Sequence, residues 1–229
     1  MDIDPPSVTA GPPPARPLRR DAQRNRDTLL AAARRAFAEE GLGASLEQVA
    51  KQAGLAIGTL YRHFPTRLDL VQAVFADKLG VWYEAAERAV VMDDTWEGFC
   101  FFLETMCELQ SGDRGFSGLA GTRLPEVACL AGTQTRIHEL GIRIVERAQE
   151  QGTLRPDVTP EDVAFVIWSV GRVSEATQDV APEVWRRHLY LLLEGFRAGR
   201  VHPLPVPSLT PEQLYEAMAR PGDLMGRTP

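Results

Sequence analysis

Lysine and cysteine are scarce in this chain, and the short motifs that carry most enzyme chemistry are missing. Of its 25 basic residues only Lys51 and Lys78 are lysine, and with many Ala, Gly and Pro this points to a GC-rich bacterial host. The three cysteines, Cys100, Cys107 and Cys129, are odd in number and show no C-x-x-C spacing. That argues against a disulfide scaffold and a zinc site, and for a reduced cytoplasm. No run of roughly 18 apolar residues is free of charge, so no membrane span is expected. The opening stretch, MDIDPPSVTAGPPPAR, is acidic and proline-rich and lacks the apolar core of a signal peptide. G-x-S-x-G, H-E-x-x-H and a glycine-rich phosphate loop are all absent, so neither catalytic residues nor a cofactor or metal is expected. Alternating strand patterns and internal repeats are absent too.

What is present is helical periodicity and a divided charge. The net charge of −6 hides a basic segment. Residues 16 to 67 carry ten Lys/Arg against five Asp/Glu, whereas residues 68 to 229 carry fifteen against twenty-four. A small basic head on a larger acidic body suggests a polyanion partner at one end only.

The fold class read from these patterns is all-α. Residues 1–15, with five prolines, cannot bury a core and are expected to be a disordered tail. Residues 16–67 form an expected DNA-binding domain with helices at 21–40, 46–53 and 57–64. In the first of these Leu29, Ala32, Ala33, Ala36 and Phe37 recur at helical steps. Gly41 and Gly43 stop it, Ser45 caps the second with Gln48 completing a capping-box pattern, and Pro65 ends the third. Residues 68–200 form an expected ligand-binding and dimerisation domain, with helices at 68–90, 94–111, 124–131, 133–152, 160–176 and 182–199. Asp94 or Thr95 caps the second of these, and Pro160 and Pro182 sit where first-turn prolines belong. Residues 201–229 are expected to be an irregular tail with one short helix at 211–219.

The chemistry concentrates in SLEQVAKQAGLAIGTLYRHFPTRLDL, residues 45–70. Two short helices crossing steeply need a small residue at the contact, here Ala50. Four residues on, Gly54 supplies the left-handed turn, and Leu60 buries against Val49 and Leu46. The helix AIGTLYRHF then offers Thr59, Tyr61, Arg62 and His63 while burying Leu60 and Phe64. Hydroxyls, an aromatic ring and a basic group on one face are what base edges and phosphates require. Gly58 lets the helix approach a duplex closely, where unpaired N–H groups favour phosphate.

This segment resembles the signature of the TetR family of regulators: an arginine-rich first helix ending A-x-x-G, then T/S-x-x-x-I/V-A-x-x-A-G-V-x-x-G-T-L-Y-x-H-F-x-x-K-x-x-L. Here it reads AFAEEGLGASLEQVAKQAGLAIGTLYRHFPTRLDL, covering roughly a fifth of the chain. Leu55 stands for the usual Val, Ala56 for a frequent Ser and Arg67 for a frequent Lys. By resemblance Ser45, Ala56, Gly58, Thr59, Tyr61, Arg62, His63 and Arg67 are the candidate DNA-binding residues. Arg67 keeps the cation for a phosphate contact, and Ala56 lacks a hydroxyl that relatives offer. The resemblance implies a two-fold homodimer, an Ω-shaped helical body, and repression of a double-stranded DNA operator relieved by a small-molecule effector. The stretch DDTWEGFCFFLETMCELQSGDRGF resembles the C-terminal domains of the family's SbtR-like branch.

A head this small needs a second copy, because two heads must span successive major grooves about 34–36 Å apart. The helix PEVWRRHLYLLLEGFRAG carries a wide apolar stripe, and EDVAFVIWSVGRVSEA before it is equally apolar, with Gly171 permitting close approach. Val170, Val173, Leu189, Leu192 and Phe196 are the candidate dimer interface, the alternative being burial within one subunit. Trp82, Phe99, Phe102, Met106, Phe116, Phe165 and Trp168 are candidates to line an apolar ligand site, with His138 or Arg136 as polar anchor. Their alternative is plain core. Cys100 and Cys107 share a helix face, with His138 elsewhere, and read as inert buried thiols, the alternative being a Cys–His nucleophile or redox switch. Beside a ligand-released repressor stand an activator, a ligand-independent regulator, and an enzyme or interaction module fused to the head.

Overall fold

The computed structural model describes residues 16–120, 131–199 and 202–218. Ten helices follow one another along them: α1 (Arg16–Glu40), α2 (Leu46–Gln52), α3 (Ile57–His63), α4 (Arg67–Ala89), α5 (Thr95–Gln110), α6 (Arg114–Ala120), α7 (Ala131–Glu150), α8 (Pro160–Thr177), α9 (Val184–Phe196) and α10 (Pro211–Met218). Among the described residues an isolated bridge between Leu154 and Arg197 is the only strand-like pairing. The class is all-α: a three-helix head of α1–α3 followed by a larger helical body.

Local chemistry sets most boundaries. Gly41 takes φ 78°, the left-handed region that ends α1 cheaply. α4 and α8 open on reciprocal capping boxes, Thr66 with Asp69 and Thr159 with Asp162. Pro160 fills the first position of α8, where its missing N–H leaves nothing unpaired. Asp94 caps α5 by accepting the Glu97 N–H at 2.9 Å. Pro182 departs from expectation: it lies in the turn before α9, which begins at Val184. At Ser45 only half a box forms, the hydroxyl accepting the Gln48 N–H at 3.4 Å. The expected helix at 124–131 lies outside the described residues, except for Ala131, which starts α7. The expected N-terminal tail and the end of the C-terminal one also lie outside them.

Helix α6 is the element that sequence patterns miss. RGFSGLA holds two glycines and a serine in seven residues, too weak a propensity to announce a helix. Tertiary packing makes it: Gly115 lies flat on α1, and Phe116 and Leu119 are fully buried. The rings of Phe37 (α1), Phe75 (α4) and Phe116 (α6) form a ladder with centroids 6.1 and 5.7 Å apart. One hydrophobic cluster therefore runs from Leu29 in the head to Leu193 in α9. Lys78 reinforces the joint, donating to the Leu109 carbonyl at 2.8 Å and to Asp113 at 2.7 Å, with its ammonium over the Phe116 ring.

On the other side α9 packs on α8 and α5. Arg186 pins it, reaching Glu104 at 2.9 Å and Glu108 at 3.2 Å on α5. The tail before α10 is tied to the start of α8, where Ser208 donates to Asp162 at 3.0 Å. Burial raises the thiol pKa of Cys100 to about 11 and of Cys107 to about 12, which suppresses the reactive thiolate. In a Cys129→Ser background, Cys107 should resist a disulfide reagent at pH 8 until the protein unfolds. Fast labelling under native conditions would contradict that packing.

Candidate nucleic-acid interface

The turn between α2 and α3 is built by hydrogen bonds that leave little freedom. Gly54 has φ 68°, its N–H reaches the Lys51 carbonyl at 3.0 Å, and the Leu55 N–H reaches the Ala50 carbonyl at 3.0 Å. This is the paired closure of a Schellman motif, which needs glycine at the left-handed position. Ala50, Val49 and Leu46 are buried, and Leu60 is wholly buried from the α3 side, so the two helices share one apolar seam. Burying a leucine of that size stabilises by roughly 2 kcal/mol. The frame thus fixes the direction in which α3 points its outer face.

On that face Tyr61 is 48% exposed and Arg62 is exposed, while Thr59 is half-buried. Ala56 caps α3 without a side-chain hydrogen bond. Gly58 has no atom within 4 Å of where a Cβ would stand, so the front of the helix is open to a close partner. Ser45 sits exposed at the start of α2. His63 departs from the expected exposed position. It is half-buried, its ring lies 6.3 Å from that of Phe64, and its Nε2 is buried without a partner.

Arg67 has a different setting from the one its sequence position suggests. Its Nη1 donates to the carbonyls of Leu42 at 2.8 Å and Ala44 at 2.7 Å, bracing the turn between α1 and α2. Burial holds its pKa below the usual guanidinium value. The T-x-x-D spacing of Thr66 and Asp69, which fixes the start of α4, was the available signal that this corner is structural. Arg67→Ala should therefore raise hydrogen exchange across residues 41–45 and lower stability by about 1–3 kcal/mol, since two buried carbonyls lose their donor. Arg67→Lys should recover only part of this, because one ammonium replaces a planar fork. Unchanged exchange in the alanine variant would leave Arg67 as a surface cation.

In the body Trp82, Phe99, Phe102, Met106 and Phe116 all lie in the interior, with Trp82 stacked on Phe102 at 6.2 Å. The interior is not wholly apolar: Trp82 Nε1 and Gln110 Oε1 are buried without a partner. Phe165 and Trp168 are not there. They stack on each other at 6.0 Å on the outside of α8, 36% and 37% exposed. Arg136 and His138 are likewise exposed on α7, away from an interior anchor's place. A contiguous run of aromatics in sequence does not tell which face of α8 turns inward.

Two of the dimer candidates need a similar correction. Val170 and Leu189 are completely buried within the subunit, and Leu192 and Phe196 pack against the same core. Val173 is half-buried. Gly171 does permit a close approach, but to α6: a Cβ there would stand 2.7 Å from Ser117 Oγ. The stripe on α9 is wide because that helix contacts both α5 and α8. On α8 and α9 the large apolar side chains left outside are Phe165 and Trp168, and Tyr190 and Leu191.

Comparison with known proteins gives these features a family. Residues 29–74 match the model of bacterial regulatory proteins of the TetR family, and residues 94–198 match that of the SbtR-like transcriptional regulator C-terminal domain. A TetR transcription regulatory protein from Mycobacterium vanbaalenii is 31% identical, with 79% of this chain and 99% of that one covered, at a TM-score of 0.46. The chain belongs to the TetR family of transcriptional regulators, a family without enzymatic activity. An HTH-type transcriptional regulator of Staphylococcus aureus is 38% identical over 66 residues, 28% of this chain. That match spans 36% of the curated relative's length, about a third. The regulator FadR from Bacillus subtilis, solved in complex with stearoyl-CoA, is 18% identical over 75% of this chain and 99% of that one, at a TM-score of 0.55. The last likeness is one of fold. Among the described residues no helix is long and apolar enough to cross a membrane.

Proposed function

We propose that the protein is a homodimeric repressor that reads a double-stranded operator with α3 and is released from it by a small apolar or amphipathic effector. The observation that carries the DNA reading is the exposed Tyr61–Arg62 face of α3, held rigid by the Gly54 turn and the buried Leu60. Thr59, Tyr61 and Arg62 read the groove, while Gly58 and Ala56 let the front of the helix come close. Selection of bound fragments from the host genome should return a two-fold symmetric site. On that site Tyr61→Ala and Arg62→Ala should each weaken binding by about 10- to 100-fold, the range of one good base or phosphate contact. If both variants held the operator as tightly as the parent protein, α3 would not be the reading helix.

The effector reading is supported by Trp82 Nε1 and Gln110 Oε1, two of the polar atoms buried without a partner in the body. Buried polar groups normally find partners, and a ligand that opens this packing would supply them. FadR's stearoyl-CoA suggests a long acyl compound as a first trial. A second reading, regulation without a ligand, is favoured by the close packing of Phe99, Phe102 and Met106. Tryptophan fluorescence, with Trp82→Phe as the reference, separates the two. Saturable quenching by acyl compounds that is lost in the variant supports an effector at this position.

A further inference from the structure

The geometry points to a second DNA contact, made by the first three turns of α1 with the phosphate backbone flanking the operator. The inference rests on the DNA reading above and extends it to residues outside α3. The family match begins at Leu29, and the side chains of α1 become buried at the same residue. Residues 16–28 nevertheless continue the helix ahead of that core. At 1.5 Å per residue the segment from Arg26 back to Arg16 adds about 15 Å of helix.

Charge on this arm is one-sided: Arg16, Arg19, Arg20, Arg24 and Arg26 stand against Asp21 and Asp27. Asp27 accepts a hydrogen bond from Gln23 at 2.8 Å, and the Thr28 hydroxyl caps back onto the Arg24 carbonyl at 2.8 Å. Arg20 and Arg24 are exposed, and among the described residues neither takes part in an ion pair. The arm's place is fixed by Arg26, whose guanidinium lies 5.4 Å over the ring of Phe64, the residue that closes α3. An α3 seated in a major groove therefore carries the arm beside the duplex, past the end of the reading helix. Duplex DNA presents about one negative charge per 1.7 Å of axis, and a basic helix of this length meets several.

The test compares the full chain with Arg20→Gln/Arg24→Gln on the selected operator, as a roughly 40 bp duplex and as the same duplex trimmed to the symmetric site. On the long duplex the double variant should bind about 10-fold or more weakly, with a salt slope shallower by roughly 3 to 4, four phosphate contacts being lost per dimer. On the trimmed duplex parent and variant should bind alike. Arg20→Lys/Arg24→Lys should keep most of the flank-dependent affinity, and matching circular dichroism should show that all three proteins fold. Equal binding of parent and glutamine variant to the long duplex would overturn the proposal, as would an equal loss on both lengths. Failure of the parent protein to bind any selected duplex is a separate result, and it would sink the DNA reading itself.

Discussion

Replacing Gly115 by alanine should lower the melting temperature by roughly 6–12 °C and loosen the head from the body. A Cβ at this position would stand 2.8 Å from both the Cβ and the carbonyl oxygen of Phe37, and 2.9 Å from Cζ of Phe75. Two of those atoms belong to the α1 backbone or its first side-chain atom, so no rotamer change relieves them. α1 and α6 must move apart, and the Phe37–Phe75–Phe116 ladder opens with them. Overpacking of this kind costs about 3 kcal/mol, and each kcal/mol is worth about 2–4 °C in a chain of this size. Hydrogen exchange should rise in α6 and in the second half of α1 more than in α7–α9. Gly80 provides the control, for it is also helical but has nothing within 4 Å of a built Cβ. Gly80→Ala should stabilise by up to about 1 kcal/mol through helix propensity alone. A Gly115→Ala protein that melts with the parent would mean the contact relaxes without strain.

The same junction bears on the regulation proposed above. A ligand moves an operator-bound dimer only if it binds one arrangement of the heads better than the other. Trp82 and Phe75 lie on the same helix, α4, and Phe75 touches both the head and α6 through its ring partners. Displacement at Trp82 thus has a rigid path to Phe37, and Gly115→Ala should weaken that coupling as well as the fold.

How much of this was readable in the residues can be argued element by element. The boundaries of α2, α5 and α8 and the end of α3 follow from local chemistry: a serine, aspartate or threonine cap, a left-handed glycine, a first-turn proline, and Pro65 just past α3. Such signals act over four or five residues, and a sequence displays them directly. The outer face of α3 was equally readable, because Leu60 and Phe64 recur at a helical step and leave Tyr61 and Arg62 outside. Helix α6 was not, since its stability comes from Gly115 lying against Phe37, seventy-eight residues away in sequence. The bracing role of Arg67 was hidden for a related reason. Its charge suggested phosphate, and only the fold brings the Leu42 and Ala44 carbonyls of the α1–α2 turn to its Nη1. The body was read least well: periodicity shows that α8 and α9 are apolar on wide arcs, not which arc meets α5 and which meets solvent.

Placing glutamates at both Trp168 and Leu191 should turn the protein into a monomer and reduce operator affinity by about 100-fold or more. The two helices pack on each other, and each leaves large apolar side chains outside: Phe165 and Trp168 on α8, Leu191 at 62% exposure on α9. An exposed indole stacked on an exposed phenyl is the kind of patch that marks an interface. A second copy of the same face would cover it in the two-fold arrangement that paired heads need. A carboxylate forced into that seam unpaired costs several kcal/mol, enough to dissociate a dimer at micromolar concentration. Losing the link between two heads removes the effective concentration that makes the second head bind, worth about 10²- to 10⁴-fold. Leu189→Glu is the informative contrast, because that side chain is wholly buried within the subunit and its replacement should unfold the body instead. Sedimentation and circular dichroism separate the outcomes: a folded monomer for the surface pair, an unfolded chain for Leu189→Glu. A folded Trp168→Glu/Leu191→Glu protein that still sediments as a dimer would place the seam on another face.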